Sequence, residues 1–140
     1  MRSIFPLVST VFVLALAACG APDPDVPEEE ATVDTQAHVG EWQGMIRGQG
    51  DVELDLYEEG RFSMNMVDAD RTVAGHYEID YDADPVELDL EGDGRVIEMI
   101  VEFTDPGTMR LKGTANPRVG RPSDFSDEPN MMMMELRRVE

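Results

Sequence analysis

From Gly40 onward the chain alternates hydrophobic and polar residues in short runs. Asp51-Val52-Glu53-Leu54-Asp55-Leu56-Tyr57 and Pro85-Val86-Glu87-Leu88-Asp89-Leu90-Glu91 each place Val and Leu at every second position with carboxylates between them. Successive side chains of an extended chain point to opposite faces, so each run predicts a strand with one buried and one solvated face. Arg61 to Val67 follows the same rule, and Glu58-Glu59-Gly60 before it has the length and the glycine of a hairpin connection. Gly40 to Arg47, Gly75 to Tyr81, Arg95 to Phe103, Thr108 to Lys112 and Met131 to Val139 bring the expected strands to eight, with turns such as Gly92-Asp93-Gly94 and Asp105-Pro106-Gly107 between them. No helical period is sustained, so nothing is long enough to carry a parallel crossover. The expectation for residues 40–140 is an all-β domain: an antiparallel, up-and-down meander of eight strands closed into a barrel. A β-sandwich is the alternative, because alternation alone does not separate the two.

The first 39 residues break the pattern. Behind a single charge, Arg2, an apolar stretch from Ile4 to Leu16 is too short to span a bilayer and has the dimensions of a signal-peptide core. It ends in Leu16-Ala17-Ala18-Cys19-Gly20, which resembles the lipobox of bacterial lipoproteins, where the cysteine thiol receives diacylglycerol before cleavage. Residues 1–18 are therefore expected to be removed, with Cys19 as the lipidation site and the membrane as a partner through this anchor only. Several acyl chains, at about 0.8 kcal/mol per buried methylene, give stable attachment. Gly20 rather than Asp after the cysteine implies, by the same resemblance, the outer membrane of a two-membrane cell. Residues 19–39 carry Pro22, Pro24 and Pro27 and six acids with no base, the composition of an extended, self-repelling tether that also takes in His38.

Charge narrows the partners. The formal net charge is -19, and removal of residues 1–18, which hold Arg2 and no acid, makes it -20. Nucleic acid is excluded as a partner, since phosphate binding depends on Lys and Arg. One cysteine forms neither an internal disulfide nor a Cys-based zinc site, so the fold must hold by packing. The acidity is also uneven. Residues 40–105 hold 19 acids and 4 bases, whereas residues 106–140 hold 5 acids and 6 bases. The nearly neutral third contains the polar, Pro-containing segment Asn116 to Pro129, with Arg118 and Arg121. It is either a protruding recognition loop or a flap packed by Phe125 over a barrel end.

Gly40-Glu41-Trp42 at the first strand and Arg137-Arg138 at the last resemble the Gly-x-Trp and terminal-arginine signature of the lipocalin superfamily, in which the cation lies across the indole at the closed barrel end. Gly75-His76-Tyr77-Glu78-Ile79-Asp80, Pro85 to Leu90, Arg121-Pro122-Ser123-Asp124-Phe125 and Leu136-Arg137-Arg138 are similar, in order and spacing, to a family of small lipocalin-like bacterial domains. The stretch from Val101 to Leu111 departs from that family, being short and lacking its Gly-Asp pair and cysteine. The resemblance implies a lipocalin-like, calycin-type barrel and, since that family has no assigned activity, no chemistry. Met132, Met134 and Leu136 share a face with Arg138, so alternation puts Arg138 rather than Arg137 on the core side.

Candidate chemistry is sparse. Met64 and Met66 with the Met131 to Met134 run raise a Cu(I) site, but alternate residues of a strand face apart and methionine is a common gap-filler. Asp80, Asp82 and Asp84 approach a calcium loop, with Pro85 where glycine is needed; Asp89, Glu91 and Asp93 have their glycine, with Ile100 where the bidentate acid belongs. No metal or cofactor is expected. His76 lies in an alternating strand and the serines lack a nucleophile-elbow context, so no catalytic residue is expected. The sequence reading is a non-enzymatic binding module in the cell envelope, with Phe62, Met64, Tyr77, Arg118 and Arg121 as candidate contacts to a small apolar ligand or an envelope protein. The alternatives are a tethered inhibitor of an envelope hydrolase and a structural envelope protein.

Overall fold

The structure, a computed structural model, describes residues 34–140. Cys19, the signal peptide and most of the expected tether lie outside the described residues. Eight strands follow in order: β1 (Gly40–Ile46), β2 (Gly50–Leu56), β3 (Arg61–Met66), β4 (Arg71–Asp80), β5 (Val86–Gly92), β6 (Arg95–Asp105), β7 (Thr108–Thr114) and β8 (Met132–Arg138), with one 3-10 turn at Val67–Ala69. Each pairs antiparallel with the next, and β1 pairs with β8, which closes the barrel and excludes the sandwich. Closure leaves no sheet edge unpaired.

The alternation read from the sequence fixes what fills the bore. Val52, Leu54 and Leu56 of β2 face inward, as do Leu88 and Leu90 of β5, and all are buried. Burying each such side chain stabilises the fold by about 1.5–3 kcal/mol. Inward residues of β6 to β8, among them Met99, Leu111, Met134 and Leu136, complete one continuous core. Closing eight short strands brings backbones close together. Gly44 faces inward where β1 crosses β8, and a Cβ there would collide with the Glu135 carbonyl.

The strand bounds agree with expectation to within two residues except at the start of β4. Strand β4 begins at Arg71 rather than Gly75, because the 3-10 turn and Asp70, with a left-handed φ of 47°, reverse the chain within four residues of β3. In the short segment after Val101, register is kept by an irregularity between Phe103 and Asp105, beyond which Asp105 pairs with Thr108.

The up-and-down order gives the barrel two unlike ends. Residues 34–39, the β2–β3, β4–β5 and β6–β7 connections and the C-terminus meet at one. The other gathers the β1–β2, β3–β4 and β5–β6 turns and the long β7–β8 connection.

Candidate functional site

The first end is sealed. The Arg138 guanidinium lies 4.4 Å from the centre of the Trp42 ring and donates to the Val39 and Ala37 carbonyls at 2.7 and 2.6 Å. Gly40 has φ of 139°, and a side chain there would run into the Arg138 guanidinium. Gly40, Trp42 and Arg138 thus form one structural unit. Trp42 Nε1 donates to the His38 carbonyl at 2.8 Å.

His38 corrects the expected tether. It is 4% exposed and belongs to the domain; Asp34 to Gln36 before it are exposed, and a turn in which the Ala37 N–H donates to the Asp34 carbonyl leads into the packed part. Tyr77 Oη donates to the Tyr57 carbonyl at 2.6 Å, so it accepts from His38 Nε2–H at 3.0 Å, and His38 Nδ1 accepts from Tyr81 Oη–H at 2.7 Å. This chain of bonds holds the imidazole neutral, and burial lowers its pKa below the ordinary 6.5 although Asp34 nearby raises it. Burial pushes the Tyr81 hydroxyl up to about 12. A lowered histidine pKa means that the unfolded chain takes up the proton first. The contribution of His38 to stability is therefore present above pH 6.5 and is lost as pH falls through the folded-state value. Melting temperature should fall between neutral pH and pH 5, and His38→Gln should flatten that part of the profile; an unchanged slope in the variant would contradict the assignment.

The second end is open. A cavity of about 380 Å³ lies in its mouth, within the size range of small-molecule sites. Phe62, Met64 and Leu90 form its floor and are nearly sealed from solvent, at 2%, 2% and 0% exposure. Met66, Val73, Ile97 and Met132 form the walls, and the rim carries Arg71, Asp93, Arg95 and Asn130. The site is a cup above a packed core rather than a bore open from end to end. A second depression, of about 660 Å³, lies on the outer wall and is lined by charged side chains such as Glu53, Glu135 and Arg137.

The candidate contacts therefore separate. Phe62 and Met64 belong to the cup, whereas Tyr77 belongs to the sealed end through its hydroxyl. The middle of the β7–β8 loop does not cover a barrel end: it is pinned to the outer wall, while the loop's ends, at Ala115, Asn130 and Met131, border the cup. Glu87, Ile100, Lys112 and Met133 form one outward-facing row across β5 to β8, in which Ile100, Lys112 and Met133 are nonetheless buried. Lys112 Nζ donates to the Asp124 and Ser126 carbonyls at 2.9 and 2.6 Å and pairs with Glu128 at 2.9 Å. Arg121 pairs with Asp89 at 2.8 Å and Glu87 at 3.4 Å and donates to the Met99 carbonyl at 2.9 Å. Its guanidinium is engaged within the chain, which leaves Arg118 and Val119 exposed on the loop.

The methionine run divides the same way. Met131 and Met132 border the cup, Met134 lies in the core and Met133 lies outside under the loop. Four thioethers, from Met64, Met66, Met131 and Met132, thus meet the same cavity. They are soft ligands, but Arg71 and Arg95 at the same rim oppose a cation. The cup offers apolar enclosure with a polar rim, the chemistry of non-covalent binding. No family model, no curated protein and no solved structure matches the chain.

Proposed function

We propose that the chain is an envelope lipoprotein whose barrel, lipocalin-like in kind, serves as a non-enzymatic binding module for a small apolar ligand. One observation carries this reading: the apolar cup at one barrel end, opposite an end sealed by Trp42, Arg138 and His38. The full chain is expected to enhance the fluorescence of the neutral probe N-phenylnaphthylamine. Ile97→Trp, which fills the cup from its wall, should weaken binding by about tenfold or more at an unchanged melting temperature. No enhancement by the native chain, or equal binding by a folded variant, would overturn the reading.

Attachment is proposed through Cys19, whose sequence context implies an outer-membrane address.

 Cys19→Ser in the expressing cell is expected to release the protein from membranes into the soluble fraction, and persistent membrane association would contradict the anchor.

A second reading, a tethered inhibitor or partner of an envelope hydrolase, is favoured by the loop between β7 and β8. Lys112 and Arg121 hold it in place while Arg118 and Val119 stay exposed, so a protein could engage it without an ordering cost. Under that reading Arg118→Ala abolishes co-purification of the hydrolase. Under the first it leaves probe binding and envelope partners unchanged.

A further inference from the structure

Strand alternation sorts the charges of this barrel in an uneven way. Every carboxylate within a strand falls on an outward row, including Asp105, which the irregularity in β6 turns outward to pair with Thr108. The inward rows hold three charged residues, and all three are arginines. Arg138, paired with Trp42, belongs to the sealed end. Arg71 pairs with inward Met66 at the start of β4, and Arg95 pairs with inward Gly92 at the start of β6. Both border the cup. The charged residues that line the cup are Arg71, Arg95 and, from the β5–β6 turn, Asp93, so in a chain of net charge -19 the lining carries one positive charge in excess.

The two rim arginines are not equally committed. Arg71 lies 3.4 Å from Asp93, with both side chains about half exposed, a pair that contributes little to stability. Arg95 has no carboxylate within ion-pair distance among the described residues and is exposed. The outer-wall acids act on the mouth through solvent, where salt screens charge beyond roughly 8 Å. Asp93 offsets Arg71, and Asp68 and Asp70 of the β3–β4 turn are not among the cup-lining residues, which leaves Arg95 as the uncompensated charge in the lining.

We infer that the cup takes a single-chain amphiphile with an anionic head, its chain against Met66, Val73, Ile97 and Met132 and its head at Arg95 and Arg71. This rests on the proposed binding function and adds the charge of the ligand. Unbranched methionine side chains adapt to a flexible chain, and guanidinium groups present paired donors to carboxylate or phosphate oxygens. Asp93 competes with the ligand for Arg71.

Displacement of N-phenylnaphthylamine from the full chain at neutral pH tests the inference with four competitors of equal chain length: decanoate, decyl phosphate, decanol and decyltrimethylammonium. The two anions should compete about tenfold better than decanol, as expected for hydrogen bonds to a charged group, and the cation should be the weakest. Arg95→Gln should remove part of the anion preference, and Arg71→Gln with Arg95→Gln should bring the anions to the level of decanol without changing decanol itself. Asp93→Asn, which keeps a residue suited to the left-handed φ of 53° at that turn, should tighten the anions and leave decanol alone. A decanol affinity equal to that of the anions, a preference for the cation, or a folded double arginine variant that still prefers anions would overturn the inference while leaving the apolar cup intact. Failure of both the probe and decanol to bind would instead remove the cup reading, and this inference with it. Inorganic phosphate alone should not displace the probe; displacement by it would show a head-group site independent of the chain and would overturn the amphiphile assignment.

Discussion

Trp42→Ala is expected to lower the stability of the domain by about 3–5 kcal/mol, the usual cost of truncating a buried tryptophan. For a domain of this size that is a fall in melting temperature on the order of 20 °C. Three losses coincide at this position. The indole is 1% exposed and packs beside Phe103, with ring centres 6.3 Å apart. Its Nε1–H holds the His38 carbonyl, and its face carries the Arg138 guanidinium. Trp42→Phe should recover much of the packing while losing the hydrogen bond, and so fall between the two. Because Trp42 is at the sealed end, a folded Trp42→Phe variant should bind N-phenylnaphthylamine as the native chain does. A stability change under about 1 kcal/mol for Trp42→Ala would mean that the sealed end is not built as described.

Lys112→Met should act on the loop rather than on the barrel. The side chain has no exposed surface, and its ammonium group ties the Asp124 and Ser126 carbonyls and the Glu128 carboxylate to the wall. Methionine preserves the apolar stem and removes every one of these bonds. Breaking a fully buried ion pair costs about 3–5 kcal/mol; Glu128 and Asp124 remain partly in water, so roughly 2 kcal/mol is expected. If that energy is lost from the local opening of residues 115–131, proteolysis within the loop should accelerate roughly thirtyfold while the barrel stays folded. Cleavage at the native rate would show that the lysine does not hold the loop.

The strands were legible because each is half-buried: Val52, Leu54 and Leu56 alternate with Asp51, Glu53 and Asp55, and that pattern has one extended solution. The same rule placed Arg138 on the inner face from Met132, Met134 and Leu136. At Lys112 and Met133 alternation gives the outward facing that the barrel has, but not their burial. Burial there comes from a loop folding back over the wall, a tertiary event with no local signal. His38 was obscured differently. Composition averages over a window, and one imidazole at the end of a proline- and acid-rich stretch does not reveal that two tyrosines 39 and 43 residues away will enclose it. Arg71 and Arg95 could have been found by extending the alternation of Val73 and Tyr77, and of Ile97 and Met99, by one step toward the strand ends. The cup itself could not, because whether a bore is filled depends on how side chains from eight strands meet.

The claim that matters most is that one end of the barrel receives an apolar chain while the rest of its core stays shut. Methionine methyl NMR of the full chain during titration with decanol tests it directly. The account predicts shifts at Met66, Met131 and Met132, which border the cup, and none at Met109 deep in the core or at Met45 on the outer wall, 58% exposed. Shifts at Met45 with the three mouth methionines unmoved would contradict it.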